Sequence, residues 1–146
     1  MTKTSAVTMA LAVAAVAFAA GFALRGVLPG EPVAYAQGNR VFELRTYTVA
    51  DGKLDLLHKR FRDETVPKFF PRHGMANVWY GKPLDAPASA NSMTYMIAFP
   101  SREAAKKSWD SFRADQEWAK VAAASGVGQV KIDSVYFEPA DYSPLK

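Results

Sequence analysis

Apolar and polar positions change their period several times along this chain of 146 residues. Residues 6–24 are continuously uncharged and rich in Ala, Val, Phe and Leu. From Val41 to Val49 the pattern instead alternates, with Phe42, Leu44, Thr46 and Thr48 on one side and Val41, Glu43, Arg45 and Tyr47 on the other, which predicts a strand. The first set is the side expected under a helix, leaving the second as a polar but aromatic face. After Asp51-Gly52, Leu54, Leu57, Phe61 and Thr65 recur at helical spacing and predict a helix from Lys53 to Thr65. Pro67 and Pro71 argue against its simple continuation, with one further turn around Phe69, Phe70 and His73 before Gly74 stops it. Met75–Gly81 and Met93–Phe99 alternate again as second and third strands, separated by an aperiodic stretch at 84–92. Ser101 caps a second helix whose buried side holds Ala105, Ser108, Trp109 and Phe112. A short helix from Asp115 to Ala124 precedes Gly126 and Gly128, and Gln129–Glu138 is the fourth strand.

The order β-α-β-β-α-β is that of a ferredoxin-like α+β domain, an antiparallel four-stranded sheet with its helices on one face. Right-handed crossovers put both helices on the same side. The uncovered side is expected to carry Tyr47, Trp79 and apolar residues of the third and fourth strands. Apolar surface left in water costs about 25 cal/mol per Å², so a homodimer packing sheet against sheet is the expected remedy.

The apolar run at 6–24 stands apart from this domain. Lys3 precedes it, and Ala34-Tyr35-Ala36 lies just before Gln37, the layout of a secretory signal peptide. Its length of about 28 Å as a helix also approaches a bilayer core of about 30 Å, so an uncleaved N-terminal membrane anchor is the rival. The expected division is therefore 1–36 as signal peptide or anchor and 37–146 as the folded domain. Both readings make that domain extracytoplasmic, periplasmic or secreted, with membrane contact only through residues 6–24 if they are retained. Cleavage would leave an exported protein whose intact mass begins at Gln37.

Composition narrows the chemistry. The apolar share of 49% is that of a folded chain. Cysteine is absent, which excludes disulfides, thiolate metal centres and thiol nucleophiles. Taking Lys3, Arg25 and Glu31 from 18 basic and 14 acidic residues leaves 16 and 13, a net charge of +3 for the domain. No basic run accompanies it, so nucleic acid is not an expected partner. Two histidines fifteen residues apart make no metal-ligand spacing, and no nucleotide or flavin motif occurs. No metal and no cofactor are expected.

Several segments resemble the NIPSNAP domain family of the dimeric α+β barrel superfamily. They are Val41-Phe-Glu-Leu-Arg-Thr-Tyr47, Gly52-Lys53-Leu54, the stretch from Pro67 to Arg72-His73-Gly74, Asp115-Gln-Glu-Trp118 and Tyr136-Phe-Glu-Pro139. The resemblance spans residues 40–138 and implies the two-subunit barrel. It implies no single reaction, since the wider superfamily includes cofactor-independent oxygenases and haem-handling proteins. Within such a barrel Glu43, Arg45, Tyr47 and Trp79 are the candidate ligand-binding residues. Glu43, Arg45 and Tyr47 recur about 6.6 Å apart along one strand face and form a carboxylate, a guanidinium and a phenol suited to an acidic or phenolic ligand; pairing of Glu43 and Arg45 across the dimer or with Lys131 and Asp133, each satisfying the other in a barrel wall, fits them equally. His73 and Tyr47 are the candidate catalytic residues, His73 because imidazole titrates near neutrality, with a helix-end packing role as its alternative. The leading expectation is a binding protein for a small apolar or aromatic ligand in the dimer barrel. A cofactor-independent or haem-related oxygenase or isomerase in the same cavity and a non-catalytic protein-interaction module are the other readings.

Overall fold

The computed structural model describes residues 40–146; the segment 6–24 and the Ala34–Ala36 site fall outside the described residues. Four strands, β1 (Val41–Val49), β2 (Ala76–Gly81), β3 (Ser92–Phe99) and β4 (Val130–Phe137), form one sheet in the order β2-β3-β1-β4. Every neighbouring pair is antiparallel. This is the α+β arrangement expected from the period changes. Among the described residues no helix is long and apolar enough to cross a membrane.

Between β1 and β2 the chain is helical for longer than the prolines suggested. Helix α1 (Leu54–Arg60) passes into a π-helical stretch (Phe61–Phe69) and then α2 (Phe70–Arg72). The predicted break at Pro67 does not occur. In a wider turn the carbonyl four residues before a proline no longer abuts its ring, and the Phe70 amide reaches back to the Thr65 carbonyl. The Thr65 hydroxyl donates to the Arg60 carbonyl, also five residues back. The widened stretch keeps Phe61, Thr65 and Phe69 buried. Gly74 follows with φ +71, where a β-carbon would be strained.

The expected loop at 84–92 contains a single turn, α3 (Ala88–Asn91). Helix α4 (Arg102–Ala114) starts at Ser101, whose hydroxyl accepts from the Ala104 amide. Helix α5 (Gln116–Ala124) starts at Asp115, which accepts from the Glu117 and Trp118 amides. Leu57, Phe61, Phe69, Phe70, Trp109 and Phe112 pack with Tyr95, Ile97 and Phe99 into one buried cluster.

The side of β1 that faces this cluster is the reverse of the one expected. In the antiparallel register Glu43, Arg45 and Tyr47 sit opposite Ile97, Tyr95 and Met93, the bulky alternate residues of β3. Tyr47 is buried, edge-on to Phe61 and Tyr95 beneath the helices. Phe42, Leu44, Thr46 and Thr48 pair with Ala98, Met96, Thr94 and Ser92 on the helix-free side. The polar residues lie under the helices because the helices bring partners for them. Trp79, by contrast, is on the helix-free side as expected: it pairs with Met96 and is 52% exposed.

Candidate functional site

Glu43 is the centre of the polar cluster and is 1% exposed. A buried carboxylate is tolerated only when hydrogen-bonded or paired, and this one has three donors. Arg45 Nη1 donates at 2.9 Å, Trp109 Nε1 at 2.6 Å and Ser134 Oγ at 2.5 Å. The partners come from β1, α4 and β4, so the cluster exists only in the folded chain. Lys131 and Asp133, weighed from sequence as partners for this pair, bond to each other instead.

Arg45 lies flat against Trp109, its guanidinium carbon 3.9 Å from the ring centroid, a contact worth about 0.5–2 kcal/mol. Burial opposes its charge, but Tyr47, Tyr95 and Glu43 more than offset this and hold its pKa above the ordinary guanidinium value. Its Nε is nevertheless buried without a hydrogen bond. The Tyr95 hydroxyl is also buried and makes no hydrogen bond of normal geometry. Burial first, and then the nearby Tyr47, push its pKa well up, so it stays a phenol.

Strand β4 is the open side of this arrangement. On its helix-facing side Ser134 and Ile132 are exposed, Ile132 by 44%, although they sit opposite Arg45 and Tyr47. Tyr136, opposite Glu43, carries the Arg102 guanidinium 3.4 Å above its ring. Burial, then the Glu43 carboxylate, raises the Tyr136 pKa. Val41, Arg102, Tyr136, Phe137 and Glu138 border a groove of about 320 Å³ at this end. An anionic or phenolic group in this groove would meet the Arg102 guanidinium.

The predicted site residues therefore separate into three places. Glu43, Arg45 and Tyr47 remain together under the helices. Trp79 is on the opposite face of the sheet. His73 is tied to the α4–α5 junction, its Nδ1 2.8 Å from Ser111 Oγ and its Nε2 2.9 Å from Asp115 Oδ2. The hydrogen bond from His73, with those from the Trp118 and Glu117 amides and Arg72, lowers the Asp115 pKa to about 2. His73 thus bonds to both Ser111 and Asp115 among the helix ends, apart from the Glu43 cluster. The residues not anticipated are Tyr95 and Ser134, which only register brings to the cluster, and Trp109, whose helical period showed burial but not its bond to Glu43. Among the described residues no group of three or more acidic or histidine side chains could hold a metal ion.

The NIPSNAP family profile matches residues 42–144. A NIPSNAP-family protein from Agrobacterium tumefaciens superposes with a TM-score of 0.64 at 20% identity, covering 77% of this chain and 98% of its own. A second from the same organism gives 0.64 at 22%, covering 73% and 99%. A NIPSNAP-like domain protein from Burkholderia xenovorans gives 0.62 at 16%, covering 72% and 89%. These likenesses establish the shared fold. No curated protein matches the chain.

Proposed function

The chain belongs to the NIPSNAP family, and from that premise we propose that it binds a small aromatic or apolar ligand bearing an acidic or phenolic group, with that group directed to Arg45. The observation that carries this reading is Arg45 itself. Its guanidinium is stacked on Trp109, shares one carboxylate, and keeps a buried Nε without a partner beside a strand the helices leave uncovered. Glu43 neutralises the resting charge, Trp109 and Tyr47 supply flat apolar surface, and the groove beside Tyr136 supplies entry. The ligand lies on the helix side of each sheet, not between two sheets, while the helix-free sides pair two copies into a homodimer.

Titration of the full chain with naphthoate, followed by tryptophan emission, tests the ligand reading. Saturable quenching of the tryptophan emission is expected, with about tenfold weaker binding in Arg45→Leu, the loss of one charge-assisted hydrogen bond. Absence of saturation, or equal affinity in Arg45→Leu, would overturn it. Native mass spectrometry of the same preparation reports any ligand retained from the expression host.

A further inference from the structure

A second buried guanidinium has no counterpart in the mechanism above. Arg60, the last residue of α1, is 8% exposed, yet among the described residues no carboxylate lies within ion-pair distance of it. Its contacts are a 3.5 Å hydrogen bond to Ser125 Oγ and the face of Trp118, 5.3 Å from the guanidinium carbon. Its Nε is buried with no hydrogen bond. Burial lowers its pKa, and the phenols of Tyr47 and Tyr95 only partly compensate. Burying a cation costs several kcal/mol unless an anion answers it, so the missing anion is the feature to explain.

Arg60 also lines a groove of about 330 Å³ between α1 with the π-helical stretch and the end of α5, a volume at the small end of ligand pockets, which run from about 300 Å³. Leu56, Val121 and Ala124 give the groove an apolar wall, and the Ser125 hydroxyl lies beside the guanidinium. Two carboxylates, Asp63 and Glu64, line the same groove, but each is already held: Asp63 by Lys59 at 2.5 Å and Glu64 by Lys68 at 2.7 Å. The charge of Arg60 is thus left over, next to apolar surface and open to solvent from one side. The groove shares no lining residue with the groove beside Tyr136.

We infer that this interhelical groove binds a small free carboxylate with an apolar tail, the acid group pairing with Arg60 and Ser125 and the tail lying on Leu56 and Val121. The groove contains none of Glu43, Arg45 or Trp109, although Tyr47 and Tyr95 act on both guanidiniums, and a ligand there supplies the anion the fold lacks.

Octanoate is the probe, with octanol as its uncharged counterpart, added to the full chain and followed through the Arg60 Nε–H resonance and by calorimetry. The expected result is a saturable shift of that resonance with octanoate, and at least about tenfold weaker binding of octanol, as for loss of a hydrogen bond to a charged group. Arg60→Met should lose octanoate binding by a similar factor while keeping or raising the melting temperature, because it removes an unanswered buried charge. Ala124→Phe, which fills the groove and leaves Arg60 in place, should also block octanoate. Arg45→Leu should leave it bound, which separates this site from the one proposed above. The inference is overturned if octanol and octanoate bind equally, if the Arg60 resonance does not move, or if octanoate binding survives Ala124→Phe. Should Arg60→Met fail to fold, the resonance and Ala124→Phe decide the matter.

Discussion

Two buried charges, Glu43 and Arg45, are held apart from water by one another and by neutral donors, and their balance sets what substitution does. Arg45→Leu leaves the Glu43 carboxylate to uncharged donors, Trp109 and Ser134 foremost. Breaking a buried pair costs about 3–5 kcal/mol, and the two remaining donors put the expected loss near the lower end, at about 3 kcal/mol by urea unfolding. Glu43→Gln combined with Arg45→Leu should recover part of it, since no charge then remains buried and the amide oxygen still accepts from Trp109. An unchanged unfolding midpoint in Arg45→Leu would mean that the pair is solvated. Asp115 offers a pH test with a definite sign. Its pKa falls from 3.8 to about 2 on folding, through His73 first and the α5 amides next. A carboxyl depressed in the folded state contributes stability above its unfolded pKa and loses it as protons bind the folded form. The melting temperature should therefore drop between about pH 4 and pH 2, and Asp115→Asn should be lower at neutral pH with a shallower acid slope. Parallel slopes in the two proteins would remove Asp115 from the explanation.

At the scale of elements, the helix-free surface depends on one close approach. A β-carbon at Gly81 would clash with Cζ2 of the Trp79 ring, so the indole lies across the glycine. This follows a register irregularity in β2 between Asn77 and Trp79, which turns Trp79 onto the helix-free side and Tyr80 back toward Tyr95. Gly81→Ala must displace the ring, and because Trp79 is half exposed the displacement should cost about 1 kcal/mol, the low end for overpacking. Trp79 emission should move to the red and become more accessible to acrylamide, with Trp79→Phe as the control that removes the signal. Unaltered emission would place the ring elsewhere. The helical segment 54–72 shows why the period itself was legible and its continuation was not. Leu54, Leu57, Phe61 and Thr65 announce a helix, but π-widening around Pro67 is stabilised by Phe69 and Phe70 packing on the core, which is tertiary information.

For the whole molecule, the helix-free side presents Trp79, Val135 at 56% and Phe137 at 44% exposure. One end of that side is closed by the chain itself, where residues from Pro139 to Leu145 bound a cavity of about 360 Å³ with Phe42, Met96 and Phe137. The rest is the surface proposed to pair. Sedimentation velocity of the wild-type chain should give a dimer at micromolar concentration, and Val135→Asp with Trp79→Glu should give a folded monomer, because like charges would be buried without partners. A monomeric wild type, or a dimer unaffected by both changes, would place the interface elsewhere or remove it.

The succession of strands, the two main helices and the cap at Ser101 were legible along the chain, because side-chain period and capping chemistry are local properties. So was the grouping of Glu43, Arg45 and Tyr47, since a strand places alternate residues on one face whatever lies above it. Which face the helices cover was not local. It was settled by the pairing of Glu43, Arg45 and Tyr47 with Ile97, Tyr95 and Met93, and by Trp109 arriving from a helix sixty-six residues away to donate to Glu43. The same reason removed His73 and Trp79 from the cluster: residue type shows what a side chain can do, whereas register and helix docking determine which partners it meets.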